Sequence, residues 1–191
     1  VGNLAYVADD IAGLSVLDIS NPANPIRIGA CAVSGGRATS VFVSGLRAYL
    51  SCYQGGLQVM DVADPANPVW LGGADTPGLA MDVKVAGDYA YVADDNIGGA
   101  TGGLYLFDVR NPAQPVLAGS YVNRGRGMGV AVEGTHAYLA DYDAGVFVID
   151  VSVPTNPTFV SKYVLFNNLM SGIAAISNRV YVADNGSAVG G

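Results

Sequence analysis

The chain has 191 residues, of which 51% are hydrophobic and 13% charged, with 26 glycines and a net charge of −7. That composition supports a packed, turn-rich, soluble globular core, and no apolar run approaches the ~18 to 20 residues of a membrane-spanning helix. Nine scattered Lys and Arg against 16 acidic residues form no basic stripe, which argues against nucleic acid and disfavours an anionic membrane surface. Only Glu133 is a glutamate. The aspartates are therefore expected to act first as turn residues, because a short carboxylate reaches nearby backbone N–H groups. Patterned sequence starts at Val1 without an initiator Met or leader, so either processing or a piece of a longer protein is expected.

Self-similarity along the chain decides its organisation. Ala5-Tyr6-Val7-Ala8-Asp9 returns as Ala48-Tyr49-Leu50-Ser51-Cys52, Ala90-Tyr91-Val92-Ala93-Asp94, Ala137-Tyr138-Leu139-Ala140-Asp141 and Val180-Tyr181-Val182-Ala183-Asp184. The tyrosines are 43, 42, 47 and 43 residues apart. A second signature follows the first four copies and ends in Asp18, Asp61, Asp108 and Asp150. Each of these is trailed by two prolines: Pro22 and Pro25, Pro65 and Pro68, Pro112 and Pro115, Pro154 and Pro157. The repeats run approximately 1–34, 35–76, 77–123, 124–167 and 168–191, the last incomplete.

Each unit reads as four short strands, because β-branched and aromatic runs are separated by Gly, Pro, Asn and Asp clusters. In the second unit these are Thr39–Val43, Arg47–Cys52, Leu57–Val62 and Val69–Gly73, with Gly45 in the first hairpin and Gly87 and Gly134 at the equivalent places. No segment reads as a long amphipathic helix. The third strand is apolar on both faces, with Leu57 and Val59 on one and Met60 and Val62 on the other. A strand covered on both sides belongs to a blade packed between two neighbours, as in a radial array of sheets. Small residues such as Ala8, Ala93 and Ala140 would let neighbouring sheets approach. The expected fold is all-β: a β-propeller of four-stranded antiparallel blades, about four to five blades' worth, as part of a larger propeller. The strand tally is seventeen, with three in the opening unit and two in the last.

The stretches Leu14–Asp18, Leu57–Asp61, Leu104–Asp108 and Val146–Asp150, with Ser20-Asn21-Pro22 and Asn111-Pro112 behind them, resemble the core motif of LVIVD-repeat proteins. The resemblance covers essentially the whole chain. It implies a β-propeller of bacterial or archaeal surfaces, hence an extracellular or cell-surface location, and it transfers no catalytic residues. The chain departs from the family pattern at Ser34-Gly35-Gly36-Arg37, at Asn123-Arg124-Gly125-Arg126-Gly127, at Cys52 in place of Asp, and in the longer loop Asp94–Gly103.

Chemistry is expected on the face where the loops between second and third strands meet the connectors between blades. Arg37, Arg124 and Arg126 with Tyr53 and Tyr142 form a candidate site for an anionic or sugar-like ligand, since Arg and Tyr are favoured at binding hot spots. The bland alternative has these arginines paired with neighbouring aspartates at a wet surface. The same face gathers Asp9, Asp10, Asp94, Asp95, Asn96, Asp141, Asp143 and Asp184. No cofactor is required. If this set bound an ion, its all-oxygen chemistry would suit Ca²⁺, with Asp94, Asp95, Asp141 and Asp143 as candidate ligands, although no EF-hand spacing occurs.

A nucleophilic triad needs a base beside Ser or Cys, and His136, the single histidine, falls next to a hairpin. Asp82 on an innermost strand would face the channel as an isolated carboxylate. The Asp ending each third strand reads as a turn acceptor rather than as part of an acid–base ring. Cys31 and Cys52 fit either a disulfide or two separate thiols. The expectation is a non-enzymatic binding or scaffold module that engages a protein or glycan partner. The alternatives are a propeller enzyme completed by residues outside this chain, with Ca²⁺ as its ion, and an assembly unit that self-associates through open blade edges.

Overall fold

The computed structural model describes residues 2–96, 101–164 and 170–184. Every regular element among them is a β-strand, arranged as five consecutive blades. Blade 1 has β1 (Leu4–Ala8), β2 (Leu14–Asp18) and β3 (Ile26–Cys31). Blade 2 has β4 (Ser40–Ser44), β5 (Arg47–Ser51), β6 (Leu57–Asp61) and β7 (Val69–Ala74). Blade 3 has β8 (Leu79–Ala86), β9 (Tyr89–Asp95), β10 (Gly103–Asp108) and β11 (Val116–Val122). Blade 4 has β12 (Gly127–Glu133), β13 (His136–Asp141), β14 (Gly145–Asp150) and β15 (Thr158–Tyr163), and the hairpin β16 (Met170–Ile176) with β17 (Arg179–Asp184) follows. Each blade is an antiparallel meander in sequence order. The strands expected in the second unit are all present, each end shifted by at most one residue.

Alternation along each strand builds the core between blades. Tyr6, Leu14 and Val16 of blade 1 meet Ala48, Leu50 and Met60 of blade 2. Tyr49, Leu57 and Val59 meet Ala90, Val92, Tyr105 and Phe107. Tyr91, Leu104 and Leu106 meet Val130, Leu139, Phe147 and Ile149. The repeated tyrosine thus always points forward to the next blade. The two-faced third strand is sandwiched as expected: Leu57, Val59 and Met60 are all fully buried.

The inner strands are tied by a side chain whose connecting role was not visible in the sequence. Asp82 on β8 accepts hydrogen bonds from Ser40 Oγ on β4 (2.6 Å) and from the Val130 N–H on β12 (3.0 Å), so one carboxylate links three blades. Its other partners are the Val83 N–H (2.8 Å) and Lys84 Nζ (3.1 Å).

The rim carries a second repeated device. In each of blades 1 to 4 a bulge interrupts the pairing of third and fourth strands, between Val16 and Leu17, Val59 and Met60, Leu106 and Phe107, and Val148 and Ile149. Just beyond it stand Gly29, Gly72 and Gly119. A Cβ at these positions would lie 2.2, 2.3 and 2.4 Å from the carbonyl oxygens of Pro65, Ala113 and Pro154 in the next blade's proline turn. Blade 4 has Ser161 at this position.

The expected turn role of the third-strand aspartates is also seen. Asp18, Asp61, Asp108 and Asp150 accept the N–H groups of Ser20 (2.8 Å), Ala63 (2.8 Å), Arg110 (3.0 Å) and Ser152 (2.8 Å). These carboxylates sit near solvent. Bonds from Ser20 to Asp18 and from Arg110 to Asp108 hold both carboxyls below the usual carboxylate range.

Candidate functional site

The loop joining second and third strands in one blade clips onto the connector entering the next. Asp10 bridges to Ala38, Tyr53 to Ala80, and Asp95 to Arg126. Asp10 and Tyr53 reach their partners with left-handed backbone, at φ 48° and 45°. This clip places the predicted arginines and tyrosines at the junctions between blades.

At the junction of blades 1 and 2 the Arg37 guanidinium grips Asp10 with Nε on Oδ1 and Nη2 on Oδ2 (3.1 Å), while its carbon lies 5.9 Å from the centre of the Tyr53 ring. At the junction of blades 3 and 4 the arrangement recurs. Arg126 donates Nε to Asp95 Oδ1 (3.1 Å) and Nη2 to Oδ2 (3.2 Å), and sits 4.3 Å from the Tyr142 ring centre. In both, the Asp comes from the leading blade and the Tyr from the following one. Hydrogen bonding to Asp10 and Asp95 raises both guanidinium pKa values further above their already high range. Between blades 2 and 3 the arginine position is Leu79 and the Asp position is Tyr53, so polar clasps alternate with an apolar junction.

The five candidate residues are therefore divided between two junctions, and no contact among the described residues links the two sets. Arg124 stands apart from both clasps. It is exposed at φ 60°, its carbonyl receives Asn96 Nδ2 (3.0 Å), and among the described residues no acidic side chain pairs with it. The alternation was legible in the sequence as a two-blade period, since Tyr6–Asp10 and Tyr91–Asp95 are both Tyr-Val-Ala-Asp-Asp, and Tyr53 recurs at Tyr142. A single-blade period hid it.

The acidic residues take separate parts. Asp95 belongs to the Arg126 clasp. Asp141 is buried, with Oδ2 receiving Asn123 Nδ2 (2.8 Å) and Oδ1 receiving the Asp143 N–H (3.1 Å). Asp143 is exposed. Asp94 is also buried: Oδ2 accepts the Gly78 N–H (3.1 Å), whereas among the described residues neither Oδ1 nor the neighbouring Thr76 hydroxyl has a hydrogen-bond partner of good geometry. Burial pushes the Asp94 carboxyl above its ordinary pKa, against the smaller opposing pull of Thr76 and the Gly78 N–H. Among the described residues no group of three or more His, Cys, Asp or Glu side chains converges as a metal site. Within the loop Asp94–Gly103, residues 97–100 lie outside the described residues.

The neutral isostere Asp94→Asn should raise the melting temperature at pH 7. The raised pKa of the folded state means that the charged form disfavours folding, a cost present at high pH and relieved as pH falls through that pKa. The advantage of Asn over Asp should shrink in acid. A melting series over pH checks both the sign and the trend; a variant less stable at pH 7 whose deficit disappears in acid would show that the charge itself is needed.

Cys31 and Cys52 are free thiols, with Cys52 buried and its thiol pushed up to about 12 by desolvation. A cleft of about 430 Å³, lined by Tyr138, Val146, Val148, Tyr163, Val180, Val182 and Asp184, lies between blade 4 and the hairpin.

The fold has counterparts among solved structures. The β-propeller domain of Cps50 (Swd1) from Myceliophteria thermophila aligns with a TM-score of 0.69 at 14% identity, over 97% of this chain and 64% of that one. A functionally unknown protein from Desulfotomaculum acetoxidans aligns at 0.70 and 14% identity, over 95% and 62%. The computationally designed Ika8 protein aligns at 0.67 and 11% identity, over 94% and 52%. The chain thus spans about half to two thirds of each. No curated protein matches it in sequence. The LVIVD repeat matches residues 1–33, 35–76, 77–123 and 124–164, in step with blades 1 to 4, and the chain belongs to the LVIVD-repeat family.

Proposed function

We propose that the chain is a non-enzymatic binding module, placed outside the cell or at its surface, whose loop face engages a protein or glycan partner. The observation that carries this reading is the repeated clasp of Arg between Asp and Tyr. It fixes Arg37 with Tyr53 and Arg126 with Tyr142 on one face at alternate blade junctions. Rigid, pre-paired side chains lose little entropy on binding, and an Arg beside an aromatic ring offers donors next to a flat apolar surface suited to a sugar ring or an acidic side chain. Arg124, exposed and outside both clasps, supplies the charge still free to meet an anionic group.

Binding to an array of acidic and neutral glycans tests the proposal. Arg124→Ala should weaken the best glycan ligand about tenfold, some 1.4 kcal/mol, while Arg37→Ala has a smaller effect because that charge is already satisfied by Asp10. Turnover of ester, glycoside or redox substrates by the purified chain would overturn it. Glycan binding indifferent to Arg124, Tyr53 and Tyr142 would remove the loop face from the reading.

A further inference from the structure

The outer edge of blade 2 departs from the repeat. Trp70, the single tryptophan of the chain, stands on the edge strand β7 and is 47% exposed. Its position is filled by Arg27, Leu117 and Phe159 in blades 1, 3 and 4. The position of Gln58, on the neighbouring strand β6, is filled there by Ser15, Tyr105 and Phe147. No requirement of the blade fold therefore selects this Gln–Trp pair.

The indole N–H of Trp70 donates to Gln58 Oε1 (2.7 Å), and Gln58 Nε2 donates to the Gly55 carbonyl (2.6 Å). An indole N–H only donates and a carbonyl only accepts, so the amide has one possible orientation. Gln58 is 5% exposed. A buried amide is costly unless it is bonded, and this one fixes an aromatic ring that is itself half in water. The second hydrogen on Nε2 has no acceptor among the described residues. Gly73 makes room for the pair: a Cβ there would lie 2.7 Å from Gln58 Nε2 and 2.7 Å from the Leu57 carbonyl oxygen.

An open cleft of about 310 Å³ is lined by Trp70, Gln58, Ser34, Gly72, Gly73 and Asp75. Ser34 and Asp75 are exposed, and no basic side chain lines the cleft. Because β7 pairs only with β6, the outer N–H and C=O groups of its backbone are open as well. We propose that this cleft binds a neutral sugar, a pyranose that stacks its apolar C–H face on the Trp70 ring while its hydroxyls bond the Asp75 carboxylate and the Gln58 amide. The ring is held in place before the sugar arrives, so little entropy is lost on binding. A carboxylate with no cation beside it turns away acidic sugars. The site goes beyond the loop-face reading, since none of Arg37, Tyr53, Arg124, Arg126 and Tyr142 lines it.

Because Trp70 is the only tryptophan, its emission reports this cleft alone. The 191-residue chain is titrated with neutral disaccharides of gluco, galacto, manno and N-acetylhexosamine configuration. At least one should shift the emission saturably at millimolar sugar, and digalacturonic acid should not. Asp75→Ala, at an exposed position, should weaken that sugar about tenfold with the fold intact by circular dichroism. Gln58→Met should weaken it similarly, because the ring loses its tether; a merely structural Gln58 would lower the urea midpoint and leave the affinity alone. Arg124→Ala should leave the titration unaltered, which separates this cleft from the loop face. Emission that no neutral disaccharide moves at about 100 mM overturns the proposal, as does an affinity that neither substitution changes. So does an equal response to digalacturonic acid, or a response lost in Arg124→Ala. A response to a valine-rich hexapeptide and to no sugar would assign the β7 edge to strand pairing and overturn it too.

Discussion

Asp82→Ala is expected to lower the stability of the chain by about 3 kcal/mol, through unpaired donors rather than lost packing. The carboxylate accepts bonds from Ser40 on β4, from the backbone of Val83 on its own strand, and from Val130 on β12, with Lys84 Nζ at 3.1 Å as its ion-pair partner. The side chain of Asp82 is only 14% exposed, so water reaches these donors poorly once the carboxylate is gone. Each stranded donor costs on the order of 1 kcal/mol or more, and a lysine is left half-buried without its counter-charge. Asp82→Asn should recover part of the loss, since one amide oxygen still accepts while the NH₂ group is set against a second donor. Urea unfolding followed by tyrosine fluorescence measures the difference. A loss below about 1 kcal/mol for Ala would mean that the strand ladders and the apolar layers alone hold the inner ring.

Much of this architecture was legible in the sequence, because a repeat states the same physical requirement several times over. The alternation of Leu57, Val59 and Met60 identified a strand sealed on both faces, and Pro65 and Pro68 marked the turn that follows it. The carboxylate of Asp61 could be assigned to that turn from local spacing, since its bond to the Ala63 N–H spans two residues. Contacts between blades were harder to foresee. The link from Asp82 to Ser40 and Val130 crosses 42 and 48 residues and occurs once, so no period announces it. The candidate face was read as a single gathering of Arg37, Tyr53, Arg124, Arg126 and Tyr142. Sequence placed these residues on the correct loops but gave no distance between junctions, and the structure divides four of them between two clasps and leaves Arg124 outside both. Asp94 and Asp141 were grouped with Asp95 and Asp143 because all four lie where the loops between second and third strands reach one face. Asp94, Asp95 and Asp141 end the second strands of their blades and are buried against the connectors, whereas Asp143 falls in the turn after β13 and is exposed.

Gly72→Ala is the second large effect, again about 3 kcal/mol of lost stability, and here two opposing terms decide the sign. Gly72 has no positive φ. Adding a methyl group at a compatible backbone would stabilise by roughly 0.4 to 1 kcal/mol through the unfolded state. The new Cβ, however, would stand 2.3 Å from the Ala113 carbonyl oxygen and 2.9 Å from its Cα. Those atoms belong to backbone, so no rotamer change relieves the overlap. The turn is itself pinned, with the Gln114 N–H on the Asn111 carbonyl (3.0 Å) and the Ala113 N–H on Asn111 Oδ1 (3.3 Å). Moving it outward separates the rims of blades 2 and 3, so overpacking outweighs the entropic gain. Ser161 provides the internal control: it holds the same position after the bulge in blade 4 and is exposed. Ser161→Ala should change stability by no more than about 0.5 kcal/mol. Urea midpoints of the two variants, read together, separate a clash with the neighbouring turn from a general intolerance of side chains after the bulge. A Gly72→Ala chain as stable as the wild type would show that the proline turn yields without cost and that blades 2 and 3 are held together by their inner layers.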